Sequence, residues 1–186
     1  MKYIIIRGVL FTPLCLFLFA LMPVFAEEVS PENLFQTAGG YGCGACHGKY
    51  AHGGGFVGGN IRGATREQLD SALKGEPTML LLAKVLDDNK RNLLVDHLTS
   101  LGEMQLIEWR LGESATMQTI KAQVGTVLQL VLFNGTFDTL TLDLSSIEAS
   151  NNYHISPYDT QAITWLAKAG RYSLFFKNEK IIIEIN

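Results

Sequence analysis

Cys43-Gly44-Ala45-Cys46-His47 is a C-x-x-C-H run, and the reading of the whole chain turns on it. Two thiols three positions apart on a short turn can each add to one of a haem's two vinyl groups, and the adjoining imidazole then lies under the iron. Three other chemistries use closely spaced cysteines. A thioredoxin-like redox pair belongs in a βαβ setting, whereas the flanks here are rich in glycine. A zinc site calls for a second pair of Cys or His ligands, and none follows. A plain disulfide needs only an oxidising compartment and stays open. The motif therefore predicts one covalent c-type haem on Cys43 and Cys46, with His47 as proximal iron ligand.

Upstream, the chain begins with Lys2 and Arg7, an apolar stretch from Val9 to Leu21, and Val24-Phe25-Ala26 before Glu27. This is the pattern of a secretory signal peptide over residues 1–26, which predicts export to the periplasm. A retained membrane anchor is the alternative, but Val9 to Ala26 is barely of spanning length, and Pro13 and Pro23 interrupt it. Cys15 follows the bulky Leu14 and does not suit lipid attachment. Beyond residue 26 stand thirteen basic and eighteen acidic residues, a net charge of −5. Phosphate neutralisation needs the opposite surplus, so no nucleic-acid partner is expected.

Downstream, helix and loop signals follow in order. Glu32-Asn33-Leu34-Phe35 suits a first helix, and Gly58-Gly59-Asn60-Ile61-x-Gly63 a loop. Thr65-Arg66-Glu67-Gln68 is a capping box opening a helix with Leu69 and Leu73 on one face and Gly75 at its end. Pro77-Thr78-Met79 lies between helices; Asp87 caps a last one, with Leu94, Leu98 and Leu101 at helical spacing and Gly102 closing it. This ordered set resembles the class I cytochrome c family over residues 31–102. The resemblance implies an all-α haem domain over 27–102, Ile61 packed on the haem, and Met79 as distal iron ligand. It also implies that the backbone carbonyl at Gly59, where the family has proline, accepts a hydrogen bond from the proximal imidazole. Eleven of the eighteen glycines fall between Gly39 and Gly63, which predicts a mobile segment or one packed from outside. His97 falls where the family has an aromatic and is expected beside Phe35.

Other candidates for the sixth ligand are His52, His97, Met104, Met117 and His154. His52 is only five residues from His47 and would have to round the macrocycle almost fully extended. Thioether ligation by Met79 would favour the ferrous state relative to a bis-histidine site.

After Gly102 the pattern changes from helical spacing to alternation. Val127 to Leu132 is an apolar run, and Leu140, Leu142 and Leu144 alternate with polar residues. Ala162 to Trp165, Tyr172 to Phe176 and Ile181 to Ile185 read as further strands, with Asn134-Gly135 as a turn. About seven strands at this spacing predict an all-β sandwich over 103–186, with Trp165, Tyr172, Phe175 and Phe176 in its core. The order of pieces resembles a cupredoxin-like sandwich. The copper ligands are missing: Thr136-Phe137-Asp138 stands in place of the first histidine, Phe175-Phe176 in place of the cysteine, and no copper is expected.

The expected fold is thus multi-domain, an all-α cytochrome c domain followed by an all-β sandwich. The expected function is monohaem electron transfer without catalytic residues, the β-domain serving to dock redox partners with basic surfaces. Two alternatives are a cytochrome subunit of a larger periplasmic oxidoreductase and a haem-based sensor or enzyme with an open iron site.

Overall fold

A computed structural model describes residues 30–113 and 117–186. The expected signal peptide over 1–26, and with it Cys15 and any retained anchor, lies outside the described residues. Among those described, no helix is long and apolar enough to cross a membrane.

Residues 30–102 hold four helices: α1 (Pro31–Thr37), α2 (Gly44–His47), α3 (Arg66–Gly75) and α4 (Asp88–Gly102). Their ends are set by local chemistry. The Ser30 hydroxyl accepts from the Asn33 amide at the start of α1. Thr65 and Gln68 exchange both bonds of a capping box at α3. The Asp87 carboxylate accepts from the Lys90 amide at α4. Gly102 does not act as a left-handed cap. A Cβ there would stand 2.7 Å from Gly63 Cα, so this glycine admits the preceding loop against the helix end, where Gly63 N–H donates to Leu98 O at 2.7 Å. Leu34, Phe35, Leu69, Leu73, Leu86, Leu94, Leu98 and Leu101 form one buried cluster.

Eight strands follow: β1 (Gln105–Leu111), β2 (Met117–Ala122), β3 (Val127–Asn134), β4 (Leu140–Leu142), β5 (Tyr153–Ile155), β6 (Thr160–Leu166), β7 (Gly170–Phe176) and β8 (Glu179–Ile185). They pair as β1-β3-β6, β2-β8-β7 and β4-β5. β1 runs parallel to β3, and β2 parallel to β8; the remaining pairs are antiparallel. A second core, including Ile107, Leu130, Leu132, Leu142, Leu174, Ile181 and Ile183, lies between them. Both central strands, β3 and β8, are buried over most of their length, which explains why their sequences are continuous apolar runs.

The expected fold class is overturned. Eight strands in mixed sheets against four short helices make the described chain mostly β, and no all-α cytochrome c domain is evident in it. The reasons are local. Between α2 and α3 the glycines hold the backbone in turns and one bridge, His52 to Asn60, with positive φ at Gly48, Gly53 and Gly63. In the strand region two of the pairings are parallel, in sheets that also hold antiparallel pairs. Asn134-Gly135 likewise makes no hairpin, because β3 pairs with β1 and β6 rather than with the next strand. Asn134 is instead fully buried: its amide donates to Asp138 O, Ile155 O and Ser156 O, and its carbonyl oxygen accepts from Thr136. Phe175 is a further departure from the expected core, since it faces outward under the Lys180 ammonium.

Candidate functional site

The site is built on α2, a single turn three of whose carbonyls are taken up by the glycine-rich segment that follows. Phe56 N–H donates to Ala45 O at 3.1 Å, Gly58 N–H to Cys46 O at 2.8 Å, and Gly53 N–H to His47 O at 2.8 Å. The approach is too close for side chains: a Cβ on Gly55 would strike Cys46 O, and one on Gly58 would lie 2.5 Å from His47 Nδ1. The segment makes a tight wrap around the cysteine-bearing turn.

His47 closes α2, and its Nδ1–H donates to Gly59 O at 2.9 Å. Because a carbonyl can only accept, this bond fixes the tautomer and leaves Nε2 with a free lone pair. His47 lines a cavity of about 420 Å³ whose walls also include Ile61, Ala64, Leu69, Met79 and Leu98. Of the expected site residues, His47, Ile61 and Met79 thus share one largely apolar cleft. Cys43 and Cys46 stand on the α2 turn behind it as free thiols. Burial pushes the Cys43 thiol up to about 11, the reverse of the lowered value that makes a redox-active dithiol reactive.

The other ligand candidates lie elsewhere. His52 is buried with Nδ1 unpartnered, its ring held where a Cβ on Gly48 or Gly54 would be. Burial lowers its pKa, and the cations of Arg62 and Arg110 add to the effect. His97 stacks on Phe35 at 5.5 Å between centroids. Met104 packs against the helical core, Met117 is exposed, and His154 on β5 bonds Thr141 on β4. No cluster of three or more His, Cys, Asp or Glu side chains suited to a metal ion occurs among the described residues.

Two arginines with no signal in the sequence tie together elements around the cleft, Arg62 in its wall and Arg91 outside it. Arg62, next to Ile61, donates to Gln129 Oε1 at 2.5 Å, Tyr50 O at 3.4 Å, Met104 O at 3.2 Å, and to Leu101 O. It ties the cleft wall to the end of α4 and to β3. Burial lowers its pKa from the ordinary arginine value. Arg91 on α4 contacts α3 and the Met79 segment. Arg62 acts on partners 12 to 67 residues away and Arg91 reaches Asp70 across 21, so only the glycine concentration around Arg62 could have marked a crowded backbone there.

No protein-family model matches this chain, and a search of curated proteins finds no match either.

Proposed function

We propose that the chain is an exported c-type cytochrome, a monohaem electron carrier with haem c held covalently through Cys43 and Cys46. His47 is the proximal iron ligand, Met79 the distal ligand, and Ile61 packs on the ring. The observation that carries the reading is the His47–Gly59 hydrogen bond. It engages Nδ1 and so leaves Nε2 as the metal-competent nitrogen of a side chain that lines the same cleft as Met79, in a chain with two cysteines at haem-attachment spacing. The residues fit that group: the cavity volume is in the range of ligand sites, its walls are mainly apolar, and the donor set is imidazole plus thioether.

When bound, the haem supplies reversible one-electron exchange. The chain's part is to orient the imidazole through Gly59 O, to keep water from the ring with Ile61, Leu69 and Leu98, and to hold the thioether in place. A carrier of this kind needs no general acid, base or nucleophile. The net acidity of residues 27–186 suits partners with basic docking surfaces, with association rates that fall as salt rises. Periplasmic location follows from the reading of residues 1–26.

The test is covalent attachment. The chain, produced with a cytochrome c maturation system, stays haem-stained through denaturing electrophoresis, and Cys43→Ala with Cys46→Ala abolishes the stain. Release of all haem into acid–acetone from the unaltered chain would refute the proposal.

A further inference from the structure

Met79 sits in a segment with little structure of its own. Between α3 and α4 the backbone makes single turns and one short 3-10 helix, Leu82–Lys84, with Met79 N–H donating to Glu76 O and Leu82 N–H to Met79 O, both at 2.9 Å. Leu80, Leu81 and Val85 on its outer side are exposed. Nothing in that pattern would keep a thioether over a metal against a competing ligand.

Two side chains of α4 reach back to fasten the segment, Lys90 by a single bond from Nζ to Val85 O at 3.2 Å and Arg91 by a fork. Arg91 extends back from the first part of α4, its Nε–H donating to Leu86 O at 2.8 Å and its Nη2–H to Ala83 O at 3.2 Å. Its Nη1–H bonds Asp70 Oδ1 on α3 at 2.9 Å, while Asp70 Oδ2 is held by Arg66 Nε at the same distance. The Arg91 side chain is only 20% exposed, so the fork is partly shielded from water. On the far side, Leu82 rests on Gly39, where a Cβ would strike it. The segment is thus held between a guanidinium fork and an apolar seat.

We infer that Arg91 is a positioning residue for the distal ligand: it latches residues 83–86 and so sets how often Met79 leaves the cleft. The inference rests on the reading of His47 and Met79 as iron ligands. A planar fork can serve two carbonyls and a carboxylate at once, which an ammonium cannot, so Arg91→Lys breaks the latch while keeping the charge. A small ligand that needs Met79 displaced binds with an apparent affinity proportional to the open fraction of the segment.

The experiment uses the full chain with haem attached, in the ferric state, titrated with imidazole while the near-infrared sulfur-to-iron band is followed. The unaltered protein shows the band and yields it only at high imidazole. Arg91→Gln and Arg91→Lys yield it at concentrations lower by about tenfold or more, the loss expected for one or two charge-assisted hydrogen bonds. Arg66→Gln is the control. It removes the ion pairs from Arg66 to Asp70 and Asp88 but leaves the Arg91 bonds to Leu86 O and Ala83 O, and its titration matches the unaltered protein. Titrations of both Arg91 variants that match the unaltered protein would overturn the latch alone, and so would an Arg66→Gln shift as large as theirs. A haem-bearing unaltered chain without the band would overturn the Met79 reading and the latch together. Should Arg91→Gln fail to accumulate, Arg91→Lys carries the same comparison.

Discussion

Replacing Arg62 by alanine tests whether the cleft and the strands behave as one cooperative structure. The guanidinium satisfies Gln129 Oε1 and the carbonyls of Tyr50, Leu101 and Met104, all partly buried from water. Truncation removes a charged donor shared by four acceptors and leaves Gln129, itself only 5% exposed, with a weak 3.5 Å bond to Thr164. Hydrogen bonds to a charged group contribute about 1.5–3 kcal/mol each, but four bonds share one desolvation cost and are not additive, so a loss of about 3 kcal/mol is expected. For a chain of this length that corresponds to a fall in Tm of roughly 6–12 °C. The assay is thermal unfolding followed by tryptophan fluorescence, since Trp109 and Trp165 both lie in the strand region, and in parallel by the absorbance of the haem proposed for the cleft. Both probes report the fall in Arg62→Ala, and Arg62→Met, which keeps the aliphatic stem, recovers little of it. A Tm within 2 °C of the unaltered protein on both probes would show that these bonds do no more than water would in their place.

Other expectations follow from single side chains. Gly58→Ala places a methyl against His47 Nδ1 and Cys46 O, so the overpacking costs about 1–3 kcal/mol and disturbs the imidazole, read as a lower Tm and a displaced reduction potential. Gly59→Ala meets nothing within 4 Å and leaves both unchanged; a disturbance of equal size there would refute the steric account. His52 has a folded pKa below its unfolded value, so the folded state binds fewer protons and stability falls as pH drops below about 6.5. His52→Gln flattens that part of the pH–Tm curve, and an unaltered slope would assign it to other groups, such as the half-buried His97. The buried Glu179 carboxylate accepts from Trp109 Nε1 at 2.7 Å and Gly112 N–H at 2.8 Å. Glu179→Ala strands both donors and costs roughly 2–4 kcal/mol in chemical denaturation, whereas an effect under about 0.5 kcal/mol would show the pair to be solvated.

The sequence was most legible where local chemistry decides. Capping at Thr65 and Asp87 depends on side chains within three residues, and the helices begin there. The His47–Gly59 bond was approachable through a resemblance, because the motif fixes which carbonyl comes near. Strand positions such as 127–132 and 181–185 were visible as apolar runs, but strand partners were not, since alternation reports burial and says nothing of direction. That is why the parallel pairs of β1 with β3 and β2 with β8 could not be anticipated. The fold class fails on proportion: the helices that caps and leucine spacing mark are short, and eight strands in mixed sheets dominate the described residues. Arg62 and Arg91 carried no signal because a guanidinium that binds backbone carbonyls selects geometry, and geometry leaves no residue pattern behind.

The position of β8 has a consequence for the order in which the protein can assemble. It is the middle strand of its sheet, between β2 and β7, and it follows both in the chain. Until residues 179–185 arrive, β2 has no neighbour on that side and β7 no hairpin partner, so the sheet cannot form piecemeal as synthesis or export proceeds. The α2 turn and its glycine wrap, by contrast, close over short sequence distances and need none of the strands for their own hydrogen bonds. A slow, all-or-none step confined to the strands would therefore not delay closure of the turn that carries Cys43 and Cys46. The time in which the Cys43 thiol can be modified is set by the helices that bury it, not by completion of the sheet.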